Sequence, residues 1–190
     1  MEPPRTLEDA PRTPPDDGSA WVRPALASDV PAIREVAVAA WRATYAGRVT
    51  PEAIERFLAA AYSEERIGVR IERHEVLVAG NGAGAAYVQA FAEAAAHGDH
   101  VQLVAIYTLP GARGRGLGTA LVEAVGDAHP DEDLAADVLL DNDLAEPFYA
   151  ARGFVPGQEL TDEIAGELVR ERRWWRRARL EDRETAAAGE

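Results

Sequence analysis

Two segments near the end of the chain carry residue types and spacings that can do chemistry. The first is a glycine-rich turn, Arg113-Gly114-Arg115-Gly116-Leu117-Gly118-Thr119, which runs into an amphipathic stretch reaching Ala128. A turn of this kind at the start of a helix points several backbone N–H groups outward, where the helix dipole also favours an anion. Glycines let a ligand approach the backbone closely, and Arg113 and Arg115 add charge suited to phosphate. The second segment, Asn142-Asp143-Leu144-Ala145-Glu146-Pro147-Phe148-Tyr149, brings an amide and a phenol close behind the turn in sequence.

Two other phosphate motifs fail here. For G-x-G-x-x-G, the third glycine would fall on Thr119 or Leu121. A Walker A loop needs a lysine, and all 20 basic residues are arginine. The missing lysine also excludes a Schiff base, and the absence of cysteine excludes a thiolate nucleophile and a disulfide framework. No metal site is expected.

The elements that must position these segments are legible in outline. Ala20 to Ala25 reads as a strand. Ser28-Asp29 offers a cap for a helix with Val30, Ile33, Val36, Ala37, Ala40, Trp41 and Thr44 on one stripe. Thr50-Pro51 starts a second helix, through Ala61. Glu75 to Ala79 and Ala85 to Ala92 read as strands joined by an Asn81-Gly82 hairpin. His100 to Leu109 reads as a buried strand, Gly116 to Ala128 as a helix and Leu134 to Leu140 as a strand. Leu144 to Arg152 reads as a helix closed by Gly153. Phe154-Val155 opens a further strand, and Leu168 to Arg179 reads as a last strand near a sheet edge. The expected fold class is α/β of the α+β type, a mixed and mostly antiparallel sheet flanked by helices.

The turn and its flanks resemble a known family. Arg113-Gly114-Arg115-Gly116-Leu117-Gly118 fits the (Gln/Arg)-x-x-Gly-x-(Gly/Ala) motif of the GCN5-related N-acetyltransferases (GNAT). Ala105-Ile106-Tyr107-Thr108-Leu109-Pro110 looks like that family's fourth strand. Asn142-x-x-Ala145-x-x-Phe148-Tyr149-x-x-x-Gly153-Phe154 is similar to its second motif. The resemblance implies a splayed sheet with acetyl-CoA in a V-shaped gap and no metal. It implies that the amides of Arg113, Gly114, Arg115, Gly116, Leu117, Gly118 and Thr119 hold the pyrophosphate. It also implies that Ile106, Tyr107 and Thr108 pair with the pantetheine arm and that Asn142 contacts the cofactor. Trp41, Tyr45 and Tyr87 are candidates for the acceptor site.

The resemblance assigns Tyr149 as the acid for the departing thiolate. A thiol near pKa 8.5 and a phenol near 10 make outright transfer uphill by about 2 kcal/mol, so a hydrogen bond to the thiolate is the better role. Neutralising a lysine-like amine takes roughly 4–5 kcal/mol at pH 7, which calls for a base, a water chain or an apolar pocket. Related enzymes often carry a Glu where this chain has Gln102. Glu93, His97, Asp99 and His100 are nearby alternatives. The expected reaction is direct attack of an amine on acetyl-CoA in a ternary complex. The rivals are a non-catalytic acyl-CoA-binding sensor and an O-acyl or longer-acyl transferase.

The bulk properties set the remaining expectations. The chain has 190 residues, 47% hydrophobic, with a net charge of −13. That supports one domain over 20–180, with tails at 1–19 and 181–190. The negative charge argues against nucleic acid. No apolar run is long enough for a membrane span, and no signal peptide is legible, so a cytoplasmic protein, monomer or homodimer, is expected. Its partner would be a small-molecule or peptide amine.

Overall fold

A computed structural model describes residues 20–81, 87–140 and 142–178. Both expected tails lie outside these residues, as does Gly82 of the expected hairpin turn. The described residues form one seven-stranded sheet flanked by helices. The strands are β1 (Ala20–Pro24), β2 (Glu75–Asn81), β3 (Ala90–His97), β4 (His100–Thr108), β5 (Asp133–Leu139), β6 (Val155–Ile164) and β7 (Glu167–Arg176). Their spatial order is β1-β2-β3-β4-β5-β7-β6. Only β4 and β5 run parallel; the other neighbours are antiparallel. A parallel pair needs a crossover, and α4 (Leu117–Ala128) supplies it.

The sheet buries a different apolar set on each face. One face packs against α1 (Val30–Tyr45), α2 (Pro51–Ala61) and α3 (Glu64–Arg73), with Trp41, Ile54, Phe91, Leu139 and Val169 in its core. The other packs against α4 and α5 (Ala145–Ala150), with Leu77, Leu121, Val138, Tyr149 and Trp174. The alternation of Val138 and Leu139 between the two sets follows from the two-residue period of a strand.

Local chemistry explains most boundaries. The Thr50 hydroxyl accepts from Ala53 N at the head of α2, with Pro51 at the first helical position. The Ser63 hydroxyl accepts from Arg66 N at the head of α3. Asp29 precedes α1 but does not cap it. Its carboxylate accepts from Leu26 N at 2.8 Å and pairs with Arg23 at 2.6 and 2.9 Å.

Two sequence expectations change. Helix α3 is additional, because it buries only Ile67 and so shows a narrow apolar stripe. Strand β3 starts at Ala90, with residues 87–89 outside it; Ala85 and Ala86 of the expected strand lie outside the described residues. Strand β7 is near the sheet edge as expected, one place in from it, and β6 forms the edge itself. The β6–β7 hairpin turns on Ala165 and Gly166, both at positive φ (49° and 93°), as a two-residue hairpin requires. That turn folds β7 back between β5 and β6. Strand β7 buries Val169 and Trp174, whereas β6 is exposed along nearly its whole length.

The feature that makes a site is a split in the sheet. The β4–β5 pairing ends at Leu103↔Ala136, although β4 continues to Thr108 and β5 to Leu139. On the other side β4 stays paired with β3 as far as Thr108. The register there jumps from Glu93↔Ala105 to Ala94↔Leu103, leaving Val104 as an extra residue. Such a bulge bends and twists its strand. The bend lies where β4 leaves β5.

Candidate active site

The split opens into a cavity of about 510 Å³ between β4 and β5, reaching from the glycine turn to the end of α1. At one end stands the cradle. Gly114 and Gly116 have φ of +75° and +83°, and a Cβ on either would meet nothing within 4 Å. These two glycines therefore serve backbone conformation rather than close packing. Gly118 serves packing, because a Cβ there would lie 2.9 Å from the Phe148 ring. The first bond of α4 runs from Ala120 N to Gly116 O at 2.9 Å. This leaves the amides of Leu117, Gly118 and Thr119 at the positive end of the helix dipole without helical carbonyl partners.

The arginines around the cradle divide their work. Arg113 lines the cavity and donates to the Thr44 hydroxyl at 2.9 Å, tying the turn to α1. Arg115 is not on the cavity wall. Arg152 is, and it donates to the Thr119 hydroxyl and the Phe148 carbonyl. Its guanidinium sits 3.7 Å from the centre of the Phe148 ring, and burial lowers its pKa. Sequence reasoning passed over Arg152 because its place beside Thr119 depends on a contact 33 residues away.

Along the wall, Ile106, Tyr107 and Thr108 have one backbone edge on β3 and the other beyond the reach of β5. The free edge can pair with an extended, amide-bearing chain. Asn142 is buried on the wall, and its Oδ1 accepts from Ala145 N at 3.3 Å, steadying the start of α5. Tyr149 lines the cavity at 9% exposure, with the Phe148 and Phe154 rings each 5.2 Å away. Its hydroxyl has no hydrogen-bond partner among the described residues. Burial, then the nearby Tyr45 and Asp137, raise its pKa well above the ordinary phenol value. A phenol so held stays neutral and can donate to an anion.

Thr44, Tyr45 and Asp137 also line the cavity. Burial pushes the Tyr45 phenol up to about 12. Trp41 does not reach the wall. It is stacked between Tyr45 and Phe57, with centroids 4.1 and 4.0 Å away, and belongs to the core. Tyr87 is 53% exposed and also off the wall. Gln102 donates from Nε2 to Asp137 at 3.3 Å, and Asp137 receives two further bonds from Arg173, each 2.7 Å. Glu93 is buried away from the cavity against His74 (2.6 Å) and Arg70 (3.4 Å). His97, Asp99 and His100 sit where β3 turns into β4, also off the wall. No set of three metal-ligating side chains occurs among the described residues, and none of the described helices is long and apolar enough to cross a membrane.

A seven-stranded mixed sheet flanked by helices in this order is the fold of an acyltransferase domain. The family model described as "Acetyltransferase (GNAT) family" matches residues 31–154, more than half of the chain, so the chain belongs to that family. No curated protein sequence matches it. Among solved structures it is similar to a GCN5-related N-acetyltransferase from Rhodopseudomonas palustris. That match has 26% identity and a TM-score of 0.69, covering 84% of this chain and 96% of the other. It also shares its fold with PaiA N-acetyltransferase from Thermoplasma acidophilum in complex with coenzyme A, at 22% identity, TM-score 0.66 and coverage of 80% and 98%. YncA from Salmonella typhimurium, solved with acetyl-CoA, gives 18% identity, TM-score 0.58 and coverage of 86% and 96%.

Proposed function

We propose that the chain transfers an acetyl group from acetyl-CoA to an amine by direct attack in a ternary complex. The observation that carries this reading is the split between β4 and β5, with an anion cradle at one end and the Tyr149 phenol on its wall. The amides at the head of α4, with Gly114 and Gly116, hold the pyrophosphate. The free edge of Ile106–Thr108 pairs with the amides of the pantetheine arm, and Asn142 faces the same arm. This draws the thioester along β4 toward the Val104 bulge.

At that point the chemistry needs two things. The departing sulfur carries developing negative charge, and Tyr149 donates a hydrogen bond to it. The amine arrives from the side walled by Thr44, Tyr45 and Asp137. With no cysteine in the chain, no cysteinyl acyl-enzyme forms, and holding both reactants together supplies much of the rate.

Calorimetric titration with acetyl-CoA, followed by a thiol-release assay over a panel of small amines and peptide N-termini, tests the reading. Saturable binding with amine-dependent thiol release is expected. Binding without turnover of any amine would instead indicate an acyl-CoA sensor. Failure to bind would remove the assignment of the cradle.

A further inference from the structure

Glu171 is a carboxylate that the reaction just described leaves unused. It lies in the middle of β7, opposite Leu139 of β5 and Leu160 of β6. Residues directly opposed in antiparallel strands project to one face. Leu139 and Val169 pack on the α1–α2 side, so Glu171 and Arg173 share that side with Asp137 and Leu139. Both Asp137 and Leu139 line the cavity; Glu171 is not on its wall but stands beside them, directly across from Leu139.

The two carboxylates differ in what they are free to do. Asp137 accepts from Arg173 at both oxygens and from Gln102 as well, so both of its oxygens are held by fixed donors. Glu171 has no hydrogen bond or ion pair among the described residues. Its neighbour Arg173 is turned to Asp137 instead. The charged and titratable groups that act on Glu171 are Asp137 from β5, Asp162 from β6, Arg173 on its own strand and Tyr45 from α1. Tyr45 itself lines the cavity.

We propose that Glu171 is the general base that takes the proton from the acceptor's ammonium group at the α1 end of the cavity, while the Asp137–Arg173 pair fixes the strands beneath it. This role rests on the N-acetyltransferase reading above. The ammonium gives one proton to the Glu171 carboxylate through one water, because Glu171 stands just behind the cavity wall. The freed lone pair forms the C–N bond at the thioester carbonyl carbon. The C–S bond breaks, and the second proton leaves the nitrogen for the thiolate. Protonated Glu171 then releases its proton to water. The sum is ammonium plus acetyl-CoA giving amide, free CoA thiol and one proton.

The surroundings suit the task. Burial, then Asp162 and Asp137, raise the Glu171 carboxyl from 4.5 to about 7, against a smaller opposing pull from Arg173. Relative to an ordinary carboxylate, this favours proton uptake about 300-fold, yet leaves about half of the groups ionised at neutral pH. Position 102 holds glutamine, which cannot take the proton, and its amide instead helps to hold Asp137.

The test is the pH profile of kcat/KM for wild type, Glu171→Gln and Glu171→Asp in the full chain, with an amine that the wild type accepts. Glu171→Gln is expected to lose about 30-fold or more at neutral pH and to lose the ionisation near 7. Its acetyl-CoA affinity should stay within about twofold, which also reports folding. Glu171→Asp should keep an ionisation and part of the rate. A Glu171→Gln protein that retains kcat/KM within about threefold, with the ionisation near 7 intact, overturns the role and leaves the acetyltransferase reading standing. Wild-type protein that releases no thiol with any amine overturns both.

Discussion

Replacing Tyr149 with phenylalanine isolates the phenol from everything else that Tyr149 does. The ring packs edge-on against Phe148 and Phe154, both at 5.2 Å, and phenylalanine keeps that packing. The hydroxyl has no partner among the described residues, so its removal leaves no protein group unpaired. Among the described residues no hydrogen bond joins it to the glycine turn or to β4. Acetyl-CoA affinity should therefore change by less than about threefold. What is lost is a hydrogen bond to a sulfur that carries charge only as the C–S bond breaks. Hydrogen bonds to charged groups contribute about 1.5–3 kcal/mol. A loss confined to the transition state lowers turnover by about 10- to 150-fold.

Because burial raises the phenol's pKa further, Tyr149 remains a donor throughout the working pH range. The alkaline side of the pH profile should be the same in wild type and Tyr149→Phe. Thiol release at saturating acetyl-CoA gives kcat, and calorimetry gives the affinity. Turnover within about threefold of wild type would remove Tyr149 from the mechanism. A tenfold loss of acetyl-CoA affinity would show that the hydroxyl acts in binding instead.

Gly116→Ala places a side chain at φ +83° with open space around it, so the cost is backbone strain of about 1–2 kcal/mol. That is a fall of about 2–8 °C in Tm, with weaker acetyl-CoA binding, and an unchanged melting curve would contradict it. Two further glycines should respond with opposite signs. At Gly80 a Cβ would meet Trp21 at 2.5 Å and the Tyr87 carbonyl at 2.7 Å, so Gly80→Ala should destabilise by about 1–3 kcal/mol. Gly68 lies inside α3 with nothing within 4 Å, so Gly68→Ala should stabilise by about 0.5–1 kcal/mol in denaturant melts. The raised carboxyl of Glu171 has a signed consequence for folding as well. The native state holds that proton more tightly than the unfolded chain. The group therefore supports folding below about pH 4.5, and that support is lost as pH rises through about 7. The Tm of Glu171→Gln minus that of wild type should grow from about pH 5 to about pH 8; a flat difference would refute the raised value.

The cradle was readable in the sequence because its parts are contiguous. Glycines at fixed offsets, a preceding strand and a following helix are local facts, and Gly114, Gly116 and Leu117–Thr119 stand where their order implied. The place of Tyr149 on the cavity wall was legible for the same reason, through its spacing from Asn142 and Gly153 within one short segment. Trp41 was harder to read. Its helical stripe fitted either core or pocket, and stacking between Tyr45 and Phe57 put it in the core. Helix α3 left little trace because one buried residue makes almost no periodicity.

The sequence by itself determined the family, the mixed sheet and the glycine turn at the head of α4, since each depends on neighbours within a few dozen residues. Only the tertiary structure decided where the sheet splits and which carboxylates stand at the split. The bulge at Val104 depends on a register between β3 and β4, and the loss of pairing depends on β5 following β7 instead of β4. Asp137, Arg173 and Glu171 meet because a hairpin folds β7 between β5 and β6. A carboxylate held by a guanidinium and one left free look alike in a sequence; only the register across strands tells them apart.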